Sequence, residues 1–297
     1  MLNFGSLNID HIYRVPHLVR PGETLKSTGY SVMPGGKGLN QSVAVARAGG
    51  AVGHVGKIGR DGNWLLDEMT REGIDTTHVR VGDEPTGHAI VQVDDSGENA
   101  IVTCAGANRA ILRRDIEDTL TNCGTDAVIL VQNEINDVDH IIRTATGRGL
   151  HVVFNPGPFD DAVRDYPLEL VSTLVVNETE ARAIAGTGGG TGDRDDAYDG
   201  LGTRLAARLP DTDVIVTLGS RGVVCKTGGT TIHVSAYPAR AIDTTGAGDT
   251  FIGYYIARRT AGDNIERALR VANKAAALAV TRPGAMPSIP GLDDISI

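Results

Sequence analysis

The run DAVILVQ, residues 126–132, packs four aliphatic side chains in a row and then stops at an amide. LHVVFNP (150–156), STLVVNE (172–178) and DVIVTLG (213–219) repeat the design: a short apolar core that closes on Asn, Glu or Gly. Such runs are too short for buried helices and do not alternate with polar residues. They read as strands of a parallel sheet covered on both faces. Helix-like segments separate them, so right-handed strand–helix–strand crossovers would wind the chain around one sheet. Working outward, AVGHVGKIG (51–59) is another such strand, following a predicted helix over Asn40 to Ala48. DGNWLLDEMTREG (61–73) has helical spacing at Trp64, Leu65 and Met69. The predicted class is α/β.

Two regions break the alternation. TLKSTGYSVMPGG (24–36) and TGHAIVQVDDSGENAIVTCAGAN (86–108) read as extended β structure, the second a hairpin turning at DDSGEN. A small β layer of this kind could be a lid, an edge extension or an oligomer contact. The Gly-rich GTGGGTGDRDD (186–196) reads as a surface loop and not a domain linker, because core-like segments continue on both sides. A chain of 297 residues suits one large α/β domain with an insertion.

The formal net charge is −9, with Arg far outnumbering Lys, which disfavours sustained nucleic-acid binding. Cys104, Cys123 and Cys225 are far apart and odd in number, so they predict free thiols and no zinc knuckle. The first residues, MLNFGSLNIDHIYRV, are polar too early for a secretory signal. No apolar run approaches the roughly 18 residues a membrane span needs. A cytoplasmic setting without membrane contact is the default expectation.

In open α/β sheets ligands sit beyond the carboxyl ends of the strands, where NID, QNE, NPGP, NETE and TLGS fall. There is no GxxxxGK[ST], GxSxG, HExxH or HRD, and the first strand–helix turn lacks GxGxxG. A dinucleotide-dependent dehydrogenase is therefore a weak reading. AIDTTGAGDTFIGYY (241–255) favours phosphoryl transfer to an alcohol. Gly246, Ala247 and Gly248 lack bulky side chains, so their N–H groups can close on a phosphate where a helix begins. Asp249 sits at the mouth of that cradle and could accept a hydroxyl proton. A helix-capping carboxylate is the plain alternative. Asn8, Asp10 and Asn40 are short polar residues beside turns, a mixture that suits a polyol, although each alone could serve a turn.

GGKGLNQSVAVARAGG (35–50) and DTTGAGDTFIGYY (243–255) resemble the two signatures of the ribokinase-like (PfkB) carbohydrate kinases. GSLNIDH, PGETL, GENAIVTCAGAN, NPGP, NETEA, TLGSRGV and AVTRPGAMPS follow in that family's order, from about Phe4 to about Pro290. The resemblance implies a three-layer α/β/α core with a mainly parallel sheet, a single kinase domain over 1–297, and a projecting β lid formed by about 11–34 and 86–108. It implies ATP as co-substrate with Mg2+ and K+, and transfer to the 5-hydroxyl of D-ribose. Deoxyribose, fructose or a nucleoside are alternatives within the family, and a non-catalytic sugar or nucleotide sensor lies outside its chemistry.

On the same resemblance, Asp249 would be the base and Gly246, Ala247 and Gly248 the anion hole. Asn8, Asp10, Gly36, Lys37, Asn40 and Glu134 would hold the sugar, with lid residues such as His88, Val91 and Gln92 nearby. Asn177 would serve the nucleotide phosphates, and Glu180 would organise magnesium through water. Thr217, Gly219, Ser220 and Gly222 would line the nucleotide site, with Asn273 near the adenine. Potassium would take Asp243, Thr245, Ala279, Arg282 and Gly284, with Ser288 nearby. Pro283, between two of these ligands, departs from the family pattern only mildly. Lids of two subunits would pair, making a homodimer.

Overall fold

The computed structural model describes residues 1–186 and 199–296. All but the first residue of the Gly-rich loop predicted at 186–196 lies outside the described residues. The strands in chain order are β1 (Leu2–Phe4), β2 (Asn8–Arg14), β3 (Gly29–Gly35), β4 (Gly53–Gly59), β5 (Asp75–Gly82), β6 (Gly87–Val93), β7 (Asn99–Cys104), β8 (Val128–Gln132), β9 (His151–Asn155), β10 (Thr173–Asn177), β11 (Asp213–Thr217), β12 (Val223–Thr227) and β13 (Thr230–Val234). The helices are α1 (Lys37–Arg47), α2 (Asn63–Arg71), α3 (Arg113–Asn122), α4 (Val138–Gly147), α5 (Glu178–Ala185), α6 (Asp199–Arg208), α7 (Ala247–Thr260) and α8 (Ile265–Ala279).

Nine strands form one sheet in the order β13-β12-β11-β10-β9-β8-β1-β4-β5. The seven from β11 to β5 are parallel, and β12 and β13 run antiparallel at one edge. The unbroken apolar runs serve both faces at once. Leu130, Val153, Val175 and Ile215 pack with α1, α2, α7 and α8. Their neighbours Ile129, Val131, Val152, Leu174, Val176, Val214 and Val216 pack with α3, α4, α5 and α6. Period-two alternation of side chains thus turns each run into two half-strands, one for each helix layer.

The β1 strand lies between β4 and β8, where the winding direction reverses. Chain segments leaving β1 and β8 diverge there and open a crevice, the usual ligand position in such sheets. The helix predicted from Asn40 begins three residues earlier, at Lys37. Gly36 caps it with φ 94°, a conformation that frees the chain to turn straight into the first helical residue.

The predicted β regions form a separate four-stranded sheet, order β3-β2-β6-β7. The β6–β7 hairpin appears as predicted, whereas β2 and β6 pair in parallel. Its first strand starts at Asn8, earlier than the 11–34 boundary, because the backbone runs from the core strand β1 almost directly into the small sheet. All three cysteines are free. Among the described residues no helix is long and apolar enough to cross a membrane.

Candidate active site at the strand ends

Helix α7 is buried over nine consecutive residues, Asp249 to Ala257, and packs unusually close against α1. Gly253 makes this possible: a Cβ there would lie 2.4 Å from the Ala44 Cβ and 2.8 Å from the Gln41 carbonyl oxygen. One turn earlier, the close approach delivers Asp249 onto α1. Asp249 is 6% exposed. Its Oδ1 accepts from Gln41 Nε2 at 2.8 Å and its Oδ2 from Asn40 Nδ2 at 3.3 Å. The cap of α7 is Gly246, with φ 74° and no side-chain capping bond. Asp249 is therefore no helix cap, and the plain alternative read from sequence falls.

The first rung of α7 runs from Thr250 N to Gly246 O at 2.8 Å, so the N–H groups of Gly248 and Asp249 lie ahead of the ladder. These are the donors a helix start offers to an anion. Ala247 N is already directed to Thr244 O at 3.3 Å. Of the three residues expected to form an anion hole, Ala247 alone has its N–H committed to a described backbone oxygen.

The predicted sugar residues converge from four elements. Glu134, just after β8, accepts from Lys37 N at 2.9 Å and from the Ser6 hydroxyl, tying the start of α1 to the end of β1. The negative charge of Asp249, against the opposing pull of burial, holds the Lys37 ammonium above its ordinary pKa, with Glu134 and Glu180 adding to it. On β2, burial and then the charge of Glu134 push the Asp10 carboxyl up to about 6. Asn8 Oδ1 accepts from Asn108 Nδ2 at 2.8 Å. Asn40 Oδ1 is buried and has no partner among the described residues.

The register of the small sheet assigns its faces. Asp10 is level with Ala89 and Thr103, and Ile12 with Val91 and Ile101, so Val91 shares the face of Asp10. His88 and Gln92 lie on the opposite face: His88 meets His11 edge-on at 6.2 Å, and Gln92 Oε1 accepts from Val19 N at 3.0 Å. Period two thus puts His88 and Gln92 on the face of the small sheet opposite Asp10.

Two cavities adjoin at Thr217, Gly219, Ser220, Thr244 and Gly248. One, of 520 Å³, is lined by Gly222, Ala247, Phe251 and Asn273 as well. The other, of 610 Å³, adds Lys37, Asn155, Asn177, Glu180, Gly246 and Asp249. All the predicted nucleotide residues thus fall on one continuous hollow. Asn273 Nδ2, however, already holds Ser235 O at 2.8 Å. Tyr237, with Lys274 Nζ 5.0 Å above its ring, lines the same cavity and was not anticipated.

Asn177 and Glu180 form a capping box on α5, each backbone N–H bonding the other's side chain at 2.9 Å. One Glu180 oxygen is so used, and burial raises its pKa. No group of three or more His, Cys, Asp or Glu among the described residues could hold a metal. A lone carboxylate oxygen fits a hydrated magnesium that keeps most of its waters and phosphate ligands.

The predicted potassium residues lie on two loops stitched together. Asp243 accepts from Thr245 N at 2.9 Å and from Gly284 N at 2.8 Å, and Ile242 N donates to Val280 O at 2.7 Å. Burial raises the Asp243 pKa, but these hydrogen bonds more than offset it and hold it low. Ala279 O accepts from Arg282 N, and Ser288 Oγ donates to Ala285 O at 2.7 Å. The Arg282 side chain turns away to Asp294. An oxygen-rich, hydrogen-bonded loop pair suits a hard monovalent cation.

Sequence reading missed the amides behind Asp249: Gln41, Gln132, Asn3 and Asn155. The available signal was their burial pattern, since Gln41 interrupts the apolar stripe of a helix and Gln132 ends a wholly apolar strand.

A family model described as pfkB family carbohydrate kinase matches residues 1–292. A ribokinase of Haemophilus influenzae is 36% identical over 294 residues, covering 96% of this chain and 94% of that one. A deoxyribokinase of Salmonella typhi is 31% identical, covering 98% and 96%. The structure of an Arabidopsis thaliana ribokinase complexed with ribose and ATP superposes with a TM-score of 0.84 at 30% identity, covering 98% and 96%.

Proposed function

The chain belongs to the pfkB family of carbohydrate kinases, phosphotransferases that act on an alcohol, and from that premise we propose that it transfers the γ-phosphoryl group of ATP to the 5-hydroxyl of D-ribose. The observation that carries this reading is the buried Asp249 carboxylate, held by two amides at the mouth of the α7 N-terminus and beside Lys37.

Asp249 takes the proton from the sugar hydroxyl as that oxygen bonds to the γ-phosphorus. The bond to the β–γ bridging oxygen breaks and ADP leaves. Charge on the transferring oxygens meets the Gly248 N–H, the start of the α7 dipole and the Lys37 ammonium. Asn8, Asp10, Gly36, Lys37, Asn40 and Glu134 hold the sugar. Asn40 Oδ1 is a buried acceptor that a sugar hydroxyl would satisfy. Thr217, Gly219, Ser220, Gly222 and Asn273 line the nucleotide cavity.

Bound magnesium would neutralise the nucleotide phosphates, held through water by Glu180 beside Asn177. Potassium, held by Asp243, Thr245, Ala279, Arg282, Gly284 and Ser288, would stiffen the loop that carries the anion hole. The lid closes over the sugar and excludes water. Its far face bears Tyr30, Val32, Ile90 and Val102, all exposed, and supports pairing with a second lid in a homodimer.

Transfer to deoxyribose is the second reading, favoured by the 31% identity to a deoxyribokinase. A buried polar group left unpaired rejects a substrate lacking the matching hydroxyl, so Asp10 and Asn40 weigh toward ribose. The test is ADP release with ATP and magnesium against ribose, deoxyribose, fructose and nucleosides, each in potassium and in sodium. Ribose-selective turnover raised by potassium is expected. Selective turnover of another acceptor would move the specificity, and ribose binding without turnover would make the protein a sensor.

A further inference from the structure

Behind Asp249 lies a chain of buried amides that reaches into the sheet. Gln41, 0% exposed, donates to Asp249 Oδ1, and the same Nε2 lies 3.2 Å from Asn155 Oδ1. Gln41 Oε1 accepts from Gln132 Nε2 at 2.8 Å, and that nitrogen also donates to Asn3 Oδ1 at 2.9 Å. Asn3 Nδ2 donates to Gly38 O and to Ser42 Oγ, both at 2.8 Å. Ser42 Oγ lies 2.9 Å from His54 Nδ1, and His54 Nε2 lies 3.1 Å from Gly5 O.

A carbonyl can only accept, so His54 carries its proton on Nε2 and Ser42 donates to Nδ1. Ser42 is then free to accept from Asn3, and each amide in turn has its orientation assigned. Gln132 is the branch point. Both its donor bonds are made, yet its Oε1 is fully buried without a partner among the described residues. An unmet buried acceptor is costly. Turning the Gln132 amide over would give Oε1 no relief, because it would face Asn3 Oδ1 and Gln41 Oε1. Relief would require Gln41 to turn as well, presenting an acceptor to the Asp249 carboxylate. The network is thus wired so that its donors end on Asp249.

Resting on the reading of Asp249 as the base, we propose that Gln41 and Gln132 are positioning residues for it. Gln41 fixes the carboxylate rotamer, and Gln132, anchored through Asn3, Ser42 and His54 to the Gly5 carbonyl just after β1, fixes Gln41. Neither lines the cavities beside Asp249. Residues of a buried hydrogen-bonded network act as a unit, and double-mutant cycles separate their roles.

The test is steady-state kinetics on Gln41→Leu, Gln132→Leu, Asp249→Asn and the Asp249→Asn/Gln41→Leu pair, with the sugar selected by the ADP-release assay. Thermal melting and ADP affinity report folding. Gln41→Leu should lower kcat about tenfold to a hundredfold while the sugar KM moves less than about threefold. Gln132→Leu should lower kcat by a smaller factor in the same sense. In the Asp249→Asn background, Gln41→Leu should change the residual rate by less than about twofold. A Gln41→Leu enzyme with kcat within about twofold of wild type, or equal losses in both backgrounds, overturns the proposal. Near-normal turnover by Asp249→Asn would instead sink the base assignment itself. If the leucine variant at 41 fails to fold, Gln41→Met, which matches the amide in length, carries the same comparison.

Discussion

Asp249 and Asp10 are two carboxylates of one candidate site, one on helix α7 of the core and one on strand β2 of the small sheet, and they are held in opposite ways. Asp249 stands on the core, between α7 and α1, with an amide donor on each oxygen. Asp10 stands on the lid, where burial and Glu134 push its pKa up to about 6. The core offers its carboxylate two amide donors before any ligand arrives. The lid carries a charge that is unfavourable until something pairs with it. On the proposed mechanism, preorganised donors thus meet the carboxylate that takes a proton, and the carboxylate of the sugar side gains its partner only with substrate.

The largest expected effect breaks the core side of this contrast. Asp249→Asn keeps the shape of the site and removes the proposed proton acceptor, so kcat should fall about 10²- to 10⁴-fold with sugar and ADP affinities nearly intact. Rapid kinetics beside calorimetric binding would check it, and a matched loss of binding would argue against a purely chemical role.

The anchor of the core network has its own pH signature. Burial, ahead of the opposing bond to Gly5 O, lowers His54 to about 4. Its folded pKa is below the ordinary value, so its contribution is complete above about pH 6.5 and is lost as pH falls through 4. The stake is about 2–3 kcal/mol. Thermal melts of His54→Asn between pH 4 and 8 should show a flatter acid limb than wild type, and an unchanged limb would exclude His54 as its source.

Gly253→Ala tests whether close helix packing sets the position of Asp249. The added methyl meets Ala44 and the Gln41 backbone, and such overpacking costs about 1–3 kcal/mol. Melting temperature and kcat should fall together. A stable variant with reduced kcat would sharpen the case, since only the register of α7 on α1 would have moved.

The smallest effect is on the lid. The folded pKa of Asp10 is raised, so its ionisation subtracts stability as pH rises from 4 through 6. Asp10→Asn should therefore melt higher than wild type above pH 6, by about 1–2 kcal/mol, with the gain vanishing below pH 4. It should also bind sugar more weakly. A gain that is the same at every pH would show that Asp10 is not the titrating group.

Much of this architecture was legible in the chain. Runs such as 128–132 and 213–217 are apolar at every position, which only a two-sided sheet accommodates, and the glycines of 246–248 announce a helix start open to an anion. Family signatures extended that reading to Glu134 and Glu180. The lid faces were less legible, because His88, Val91 and Gln92 are consecutive or nearly so and only strand register separates them. The Asn273 amide also proved to be committed to Ser235.

Local sequence by itself determined the layers, the strand ends and the identity of the carboxylate at 249, because periodicity and glycine placement act over a few residues. Tertiary structure alone decided what holds that carboxylate. Gln41 lies 208 residues from Asp249, and Gln132 lies 91 from Gln41 and 129 from Asn3. Hydrogen bonds over such separations are set by how α1 packs on α7 and by which strands are neighbours, and no local pattern encodes them.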